Sequence, residues 1–250
     1  MTSTMTNPES VYYPASTKEN YGGSAIPVPI SSVGKPERNL YVKQVLDWVS
    51  LQLAFTMIIT VYAYANKSSV IEYINKNPGS VWLPIILSFI SLIGMHMSKS
   101  STTKKTMFVL FTISMSMMVA VSVLSYAPDI VCKATVTTFV MVFAINRYSK
   151  HCAETGKNLD RMAEIGGSML LVLIVMGIMQ IFIKSSLLGF VICFLGVGVF
   201  TILLVVDLHL LYSKEDDFEE DPMLAAVGIY LDIINLFLYL LELYKKLDEK

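Results

Sequence analysis

Seven apolar runs of about 20 residues each dominate this chain, and a run of that length is what a helix needs to cross a bilayer. They extend from about Gln44 to Tyr64, Val81 to Met97, Met107 to Leu124, Ile130 to Ile145, Gly166 to Ile183, Leu187 to Tyr212 and Met223 to Tyr244. The hydrocarbon core offers no water to unpaired backbone groups, so only helices or closed barrels span it, and these runs are too long for barrel strands. The sequence therefore predicts an all-α integral membrane protein, a bundle of seven transmembrane helices. Composition agrees: 54% of the 250 residues are hydrophobic and 16% are charged, against about 25% charged in soluble domains.

Breaks between runs carry turn chemistry. Asn77-Pro78-Gly79, Pro128 and Lys184-Ser185-Ser186 interrupt the apolar pattern. Asp221 followed by Pro222 reads as an N-cap with proline at the first helical position. Residues 1–38 are polar, rich in Ser, Thr and Asn, with five prolines; they read as a disordered cytosolic tail, with Tyr12, Tyr13 and Tyr21 as a docking or modification site or as idle solvated residues. Residues 39–246 form the transmembrane domain and 247–250 a short polar end. No cleavable leader is visible, so the first apolar run is expected to serve as a retained targeting signal.

Twelve Lys and Arg residues fall on the N-terminal side of a seven-span topology and seven on the other. Positive charge is retained on the cytosolic side, so the N-terminus is expected to be cytosolic and the C-terminus lumenal or external. The sequon Asn66-Lys67-Ser68 then lies on the lumenal side, beside a helix end where it is expected to stay unmodified. Net charge is −1 and no clustered basic face exists, which excludes a nucleic-acid partner. Cys132, Cys152 and Cys193 form neither a CxxC pair nor a disulfide framework and read as small buried apolar residues.

Chemistry concentrates in the last two runs. Asp207 sits in VFTILLVVDLHLLY and Asp232 in AAVGIYLDIINLFLYLLELY. An aspartate at mid-bilayer costs roughly 2.5–3.5 kcal/mol on insertion scales, so a chain carrying two is expected to use them. Gly228, Asp232, Asn235, Tyr239 and Glu242 recur at helical steps and share one face of the seventh helix. Such a stripe faces protein or a water-filled cavity. For Gly228, Asn235 and Tyr239 a seam that glues helices together is sufficient reason; Asp232 is expected to do more. On the sixth helix Gly189, Cys193, Gly196, Phe200 and Asp207 share a face, with small residues that let a neighbour approach.

Counted from the helix ends, the two aspartates differ in depth by roughly 7 Å, a gap that tilt or a longer sixth helix removes. Two carboxylates in contact hold one proton between them, and such a pair works as a proton-sensitive latch. With Asn235 they supply an incomplete shell for calcium, which takes six to eight oxygens, so a weak site for a passing ion is expected rather than a tight store. His209, on a different face from Asp207, and His96 read as interfacial histidines with the capacity to titrate near neutral pH. The acidic run from Glu215 to Asp221 reads as a solvated hairpin or, alternatively, as a collector of cations at the cytosolic mouth.

These residues carry a resemblance. IYLDIINLFLYLLELY is similar to the closing helix of the lifeguard family, also called the transmembrane BAX-inhibitor-motif family. GVGVFTILLVVDLHLLY resembles its penultimate helix, and LQLAFT, from Leu51 to Thr56, resembles the Gln-Leu…Thr signature of its first. The resemblance spans about residues 40–245. It implies a bundle whose last helix is surrounded by the other six. It also implies a calcium leak from internal stores of the endoplasmic reticulum or Golgi, suppression of cell death, and an aspartate latch at Asp207 and Asp232 supported by Asn235, Tyr239 and His209. Two departures stand out: Leu208 and His209 replace the Thr and Gln of the penultimate box, and the second helix has no arginine, its nearest charge being Lys99.

The expected function is thus a pH-sensitive calcium leak channel, with the lipid bilayer, protons and calcium as partners, calcium as the permeant ion, and no resident cofactor. The alternative is a non-conducting adaptor that regulates stress or cell-death proteins through its tail and loops. An intramembrane aspartyl protease needs a Gly-x-Gly-Asp box; here Gly196-Val197-Gly198 precedes Val199, and Leu231 precedes Asp232. The chain is therefore not expected to be an enzyme.

Overall fold

The structure, a computed structural model, describes residues 35–213 and 221–249, with side chains from Asn39 onward. The tail tyrosines and the hairpin from Glu215 to Glu220 lie outside the described residues. Helix α1 runs Lys35–Ala65, α2 Lys67–Lys76, α3 Trp82–Met97 after a 3-10 turn Pro78–Val81, α4 Ser101–Val123, α5 Pro128–Glu154, α6 Asp160–Ile183, α7 Ser186–Ser213 and α8 Pro222–Asp248. Among the described residues seven helices are long and apolar enough to cross a membrane, all but the ten-residue α2.

The helices outrun the apolar runs at several ends because helix hydrogen bonds continue into the headgroup layer after hydrophobicity stops. Thus α5 carries Arg147 and Lys150 on to Glu154, and α4 begins at Ser101. The segment after Ala65 reads as a plain connection in the sequence, but it coils into α2, whose cap residue Asn66 is exposed and donates Nδ2 to the Tyr62 carbonyl at 2.9 Å. The α8 start follows its signature: Asp221 Oδ1 accepts the Met223 N–H at 3.0 Å, and Oδ2 accepts from Lys104 Nζ at 3.1 Å. Lys184 closes α6 in the left-handed region at φ 50°. Of the cysteines, Cys152 and Cys193 are buried, but Cys132 is exposed, because its position on α5 turns outward.

Helix α8 is the axis. Its most apolar stretch is 56% buried, against 11% for α6. It packs chiefly against α7, α5 and α1, and less extensively against α4; α3 packs on α4 and α6 on α7. The last helix is therefore central, with α3 and α6 as an outer layer rather than part of its immediate ring. In lipid, apolar surface gains nothing by leaving one hydrocarbon for another, so close packing and internal polar contacts decide these pairings.

Candidate functional site

The two small-and-polar faces read from the sequence meet each other. A Cβ built on Gly189 would stand 3.1 Å from Lys246 Nζ, one on Gly196 would stand 2.6 Å from the Tyr239 ring, and one on Gly228 would stand 3.2 Å from Asp207 Oδ2. Each step along α7 between these positions equals the step back along α8, so all three contacts belong to one antiparallel register. On that register Asp232 stands opposite Leu203, one helical turn deeper than Asp207, or about 6 Å of rise. Asp207 is within electrostatic reach of Asp232.

Surroundings of the two carboxylates differ. Asp207 is half-buried and lines a cavity of about 150 Å³ with Tyr41, Leu210, Leu211, Leu224, Ala225, Gly228 and Ile229. Asp232 is 7% exposed, and its buried Oδ2 has no hydrogen-bond partner among the described residues. An unpaired buried oxygen costs about 1–3 kcal/mol, which makes this group a reservoir of unspent binding capacity.

Below Asp232 the stripe continues into a second cavity of about 410 Å³. Asn235, Tyr239, Glu242 and Lys246 line it from α8, Gly177 and Gln180 from α6, Gly189, Ile192 and Cys193 from α7, and Tyr126 from the α4–α5 turn. Asn235 Nδ2 is used by the Leu231 carbonyl at 2.9 Å. Tyr239 stacks on Phe200 with centroids 5.6 Å apart. The Tyr126 hydroxyl donates to Glu242 Oε2 at 2.6 Å, while Lys246 Nζ stands 3.2 Å from Glu242 Oε1. Burial first, and the Glu242 carboxylate second, push the Tyr126 hydroxyl well above the ordinary tyrosine range. The α8 stripe thus joins one cavity at the Asp207 end to another at the Glu242 end, with Asp232 buried between them.

His209 is buried in the bundle rather than interfacial, and it is absent from the lining of either cavity. It lies two residues past Asp207 and so on another face.

A further polar group was only partly legible. Thr56 Oγ1 lies 2.8 Å from Tyr230 Oη and 2.9 Å from Ser116 Oγ, and it reaches the Gln52 carbonyl at 2.8 Å. Gln52 Nε2 donates to Thr112 Oγ1 at 3.1 Å. This node ties α1 and α4 to α8. The signature around Leu51–Thr56 flags Gln52 and Thr56, and the spacing of four in Gln52/Thr56 and Thr112/Ser116 places each pair on one face. Tyr230 gave no signal, because a single tyrosine among Ile and Leu reads as apolar.

Fold and site define a class: a multi-pass helical membrane protein whose last two helices carry carboxylates along an internal polar seam. The model of the family described as Inhibitor of apoptosis-promoting Bax1 matches residues 38–249, and the chain belongs to that family. It is 26% identical to a BI1-like protein of Arabidopsis thaliana, over 83% of this chain and 81% of that one. It is 27% identical to the Golgi anti-apoptotic protein of Vaccinia virus (strain Lister), over 92% and 93% of the two chains. To protein lifeguard 4 of Mus musculus it is 24% identical, over 95% and 97%.

Proposed function

We propose that this chain is a pH-sensitive calcium leak channel of an intracellular membrane, of the endoplasmic reticulum or Golgi, that modulates calcium stores and suppresses cell death. The observation that carries the reading is Asp232, buried at mid-helix with an unpartnered oxygen, on a polar stripe that opens into a cavity at either end. Asp207, one turn away, supplies the second carboxylate. With a proton on the pair, the local charge falls and α7 and α8 stay closed on their small-residue register. With both ionised, repulsion and the demand for a counter-ion open a route for a cation. Two carboxylates and Asn235 underfill a calcium shell, which suits passage rather than storage.

The names of the Vaccinia and mouse relatives agree with a survival role. Lys and Arg asymmetry orients the N-terminus toward the cytosol, which puts Asp207 near the cytosolic mouth and Glu242 near the lumenal one. The reading needs no catalysis and no resident cofactor.

The test is calcium efflux from loaded vesicles holding purified protein, measured across a pH series. The parent should leak calcium in a pH-dependent manner. Asp232→Asn and Asp207→Asn should each lose that pH response. A parent with no flux, or variants with unchanged flux and pH profile, would overturn the proposal.

A further inference from the structure

The outer surface between α1 and α4 carries a second feature, unconnected with the aspartate seam. At the end of the bundle where α8 begins, a groove of about 540 Å³ is lined by Gln44, Asp47, Trp48, Leu51, Lys105, Asp221, Pro222 and Met223. Directly beside it, a groove of about 410 Å³ runs along α4 past Lys105, Thr106, Val109, Leu110 and Ile113. Lys105 lines both, so the two grooves adjoin at that residue, a charged mouth beside an apolar track.

Two facts about the mouth point to a ligand. Asp47 lies three residues past the start of the first apolar run, near the end of α1 where the charged residues begin, and it is exposed. A carboxylate at this level faces the headgroup layer, where lipid ammonium groups lie. Lys105 is likewise exposed and forms no ion pair among the described residues; the neighbouring Asp221 is already engaged by Lys104 at 3.1 Å. Opposite charges therefore flank one groove without neutralising each other. Trp48, fixed edge-on against Phe108 with centroids 5.3 Å apart, lies beside Asp47. Below them Val109 and Ile113 are exposed along the track.

We propose that this groove binds one zwitterionic phospholipid, its phosphate on Lys105, its ammonium between Asp47 and Trp48, and an acyl chain along Val109 and Ile113. Charge complementarity selects this occupant: an anionic lipid lacking an ammonium satisfies Lys105 but leaves Asp47 facing a like charge. The indole beside Asp47 adds cation–π attraction for the same ammonium. This site is independent of calcium conduction.

Native mass spectrometry of delipidated full-length protein, titrated with phosphatidylethanolamine or phosphatidylglycerol, tests it. The parent should retain one phosphatidylethanolamine with a clear preference over phosphatidylglycerol. Lys105→Gln should weaken retention of both by about fivefold, the effect of one lysine near a headgroup layer. Asp47→Asn should weaken phosphatidylethanolamine alone and erase the preference. Lys99→Gln, which removes an exposed lysine beside α4 but off the groove, should change nothing. Melting curves matching the parent establish that the variants are folded. Equal retention of the two lipids by the parent, an unchanged Lys105→Gln, or loss of a dimer rather than of lipid would overturn the proposal.

Discussion

Gly196→Ala is the sharpest single perturbation of the α7–α8 seam. The new methyl would meet three atoms of the Tyr239 ring at 2.6–2.7 Å, where carbon atoms in contact prefer about 3.5–4.0 Å. Roughly 1 Å of overlap must be relieved. The ring has little freedom to swing aside, because it is stacked on Phe200 at 5.6 Å. Either Tyr239 leaves its rotamer or α7 and α8 separate locally. Overpacking of this kind costs about 1–3 kcal/mol, and the gain in helix propensity on replacing glycine returns at most about 1 kcal/mol.

Gly198→Ala is the matched control: it lies two residues on, and a Cβ there meets nothing within 4 Å. Thermal melting of purified Gly196→Ala should lie about 2–12 °C below that of Gly198→Ala, which shares the propensity gain, at 2–4 °C per kcal/mol, while Gly198→Ala should hold or rise against the parent. Tyr239→Ala should take up the added methyl, so the double variant should be more stable than the two single losses predict. A Gly196→Ala protein that melts with Gly198→Ala, or strict additivity with Tyr239→Ala, would refute the close-packed register.

Tyr230→Phe deletes the hydroxyl 2.8 Å from Thr56 and should cost about 0.5–1.5 kcal/mol by chemical unfolding. Gln52→Leu should be neutral within about 1 kcal/mol, because it also removes a buried carbonyl oxygen that has no partner among the described residues. Asp221→Ala loses both the cap to Met223 and the pair to Lys104 and should destabilise by at least about 1 kcal/mol; Asp221→Asn, which keeps a capping oxygen, should recover most of it in the same assay. Tyr126→Phe tests the link to Glu242. Since the folded protein holds that hydroxyl proton above the ordinary range, the stabilisation is fully present below about pH 10 and is lost only as pH rises further. The melting difference from the parent should therefore be constant between about pH 6 and pH 8, and a difference that varies across that window counts against the bond.

What the sequence alone determined was local and periodic. Run lengths determined seven spans, Asp221-Pro222 the start of α8, and the 3.6-residue period which residues share a face. Period fixes the rotation of a helix about its own axis. It leaves open how far one helix slides along another and which helix it meets, and those decisions belonged to tertiary structure. Side-chain volume made them: Gly196 receives Tyr239, Gly189 admits Lys246 and Gly228 leaves room for Asp207, and this one sliding position sets Asp207 a turn above Asp232. The node of Gln52, Thr56, Thr112, Ser116 and Tyr230 was only partly legible for the same reason, since hydroxyls on three helices gain meaning only once the backbones adjoin. Helix α2, the outward turn of Cys132 and the outer placement of α3 and α6 were likewise decided by packing among neighbours, which a one-dimensional pattern does not encode.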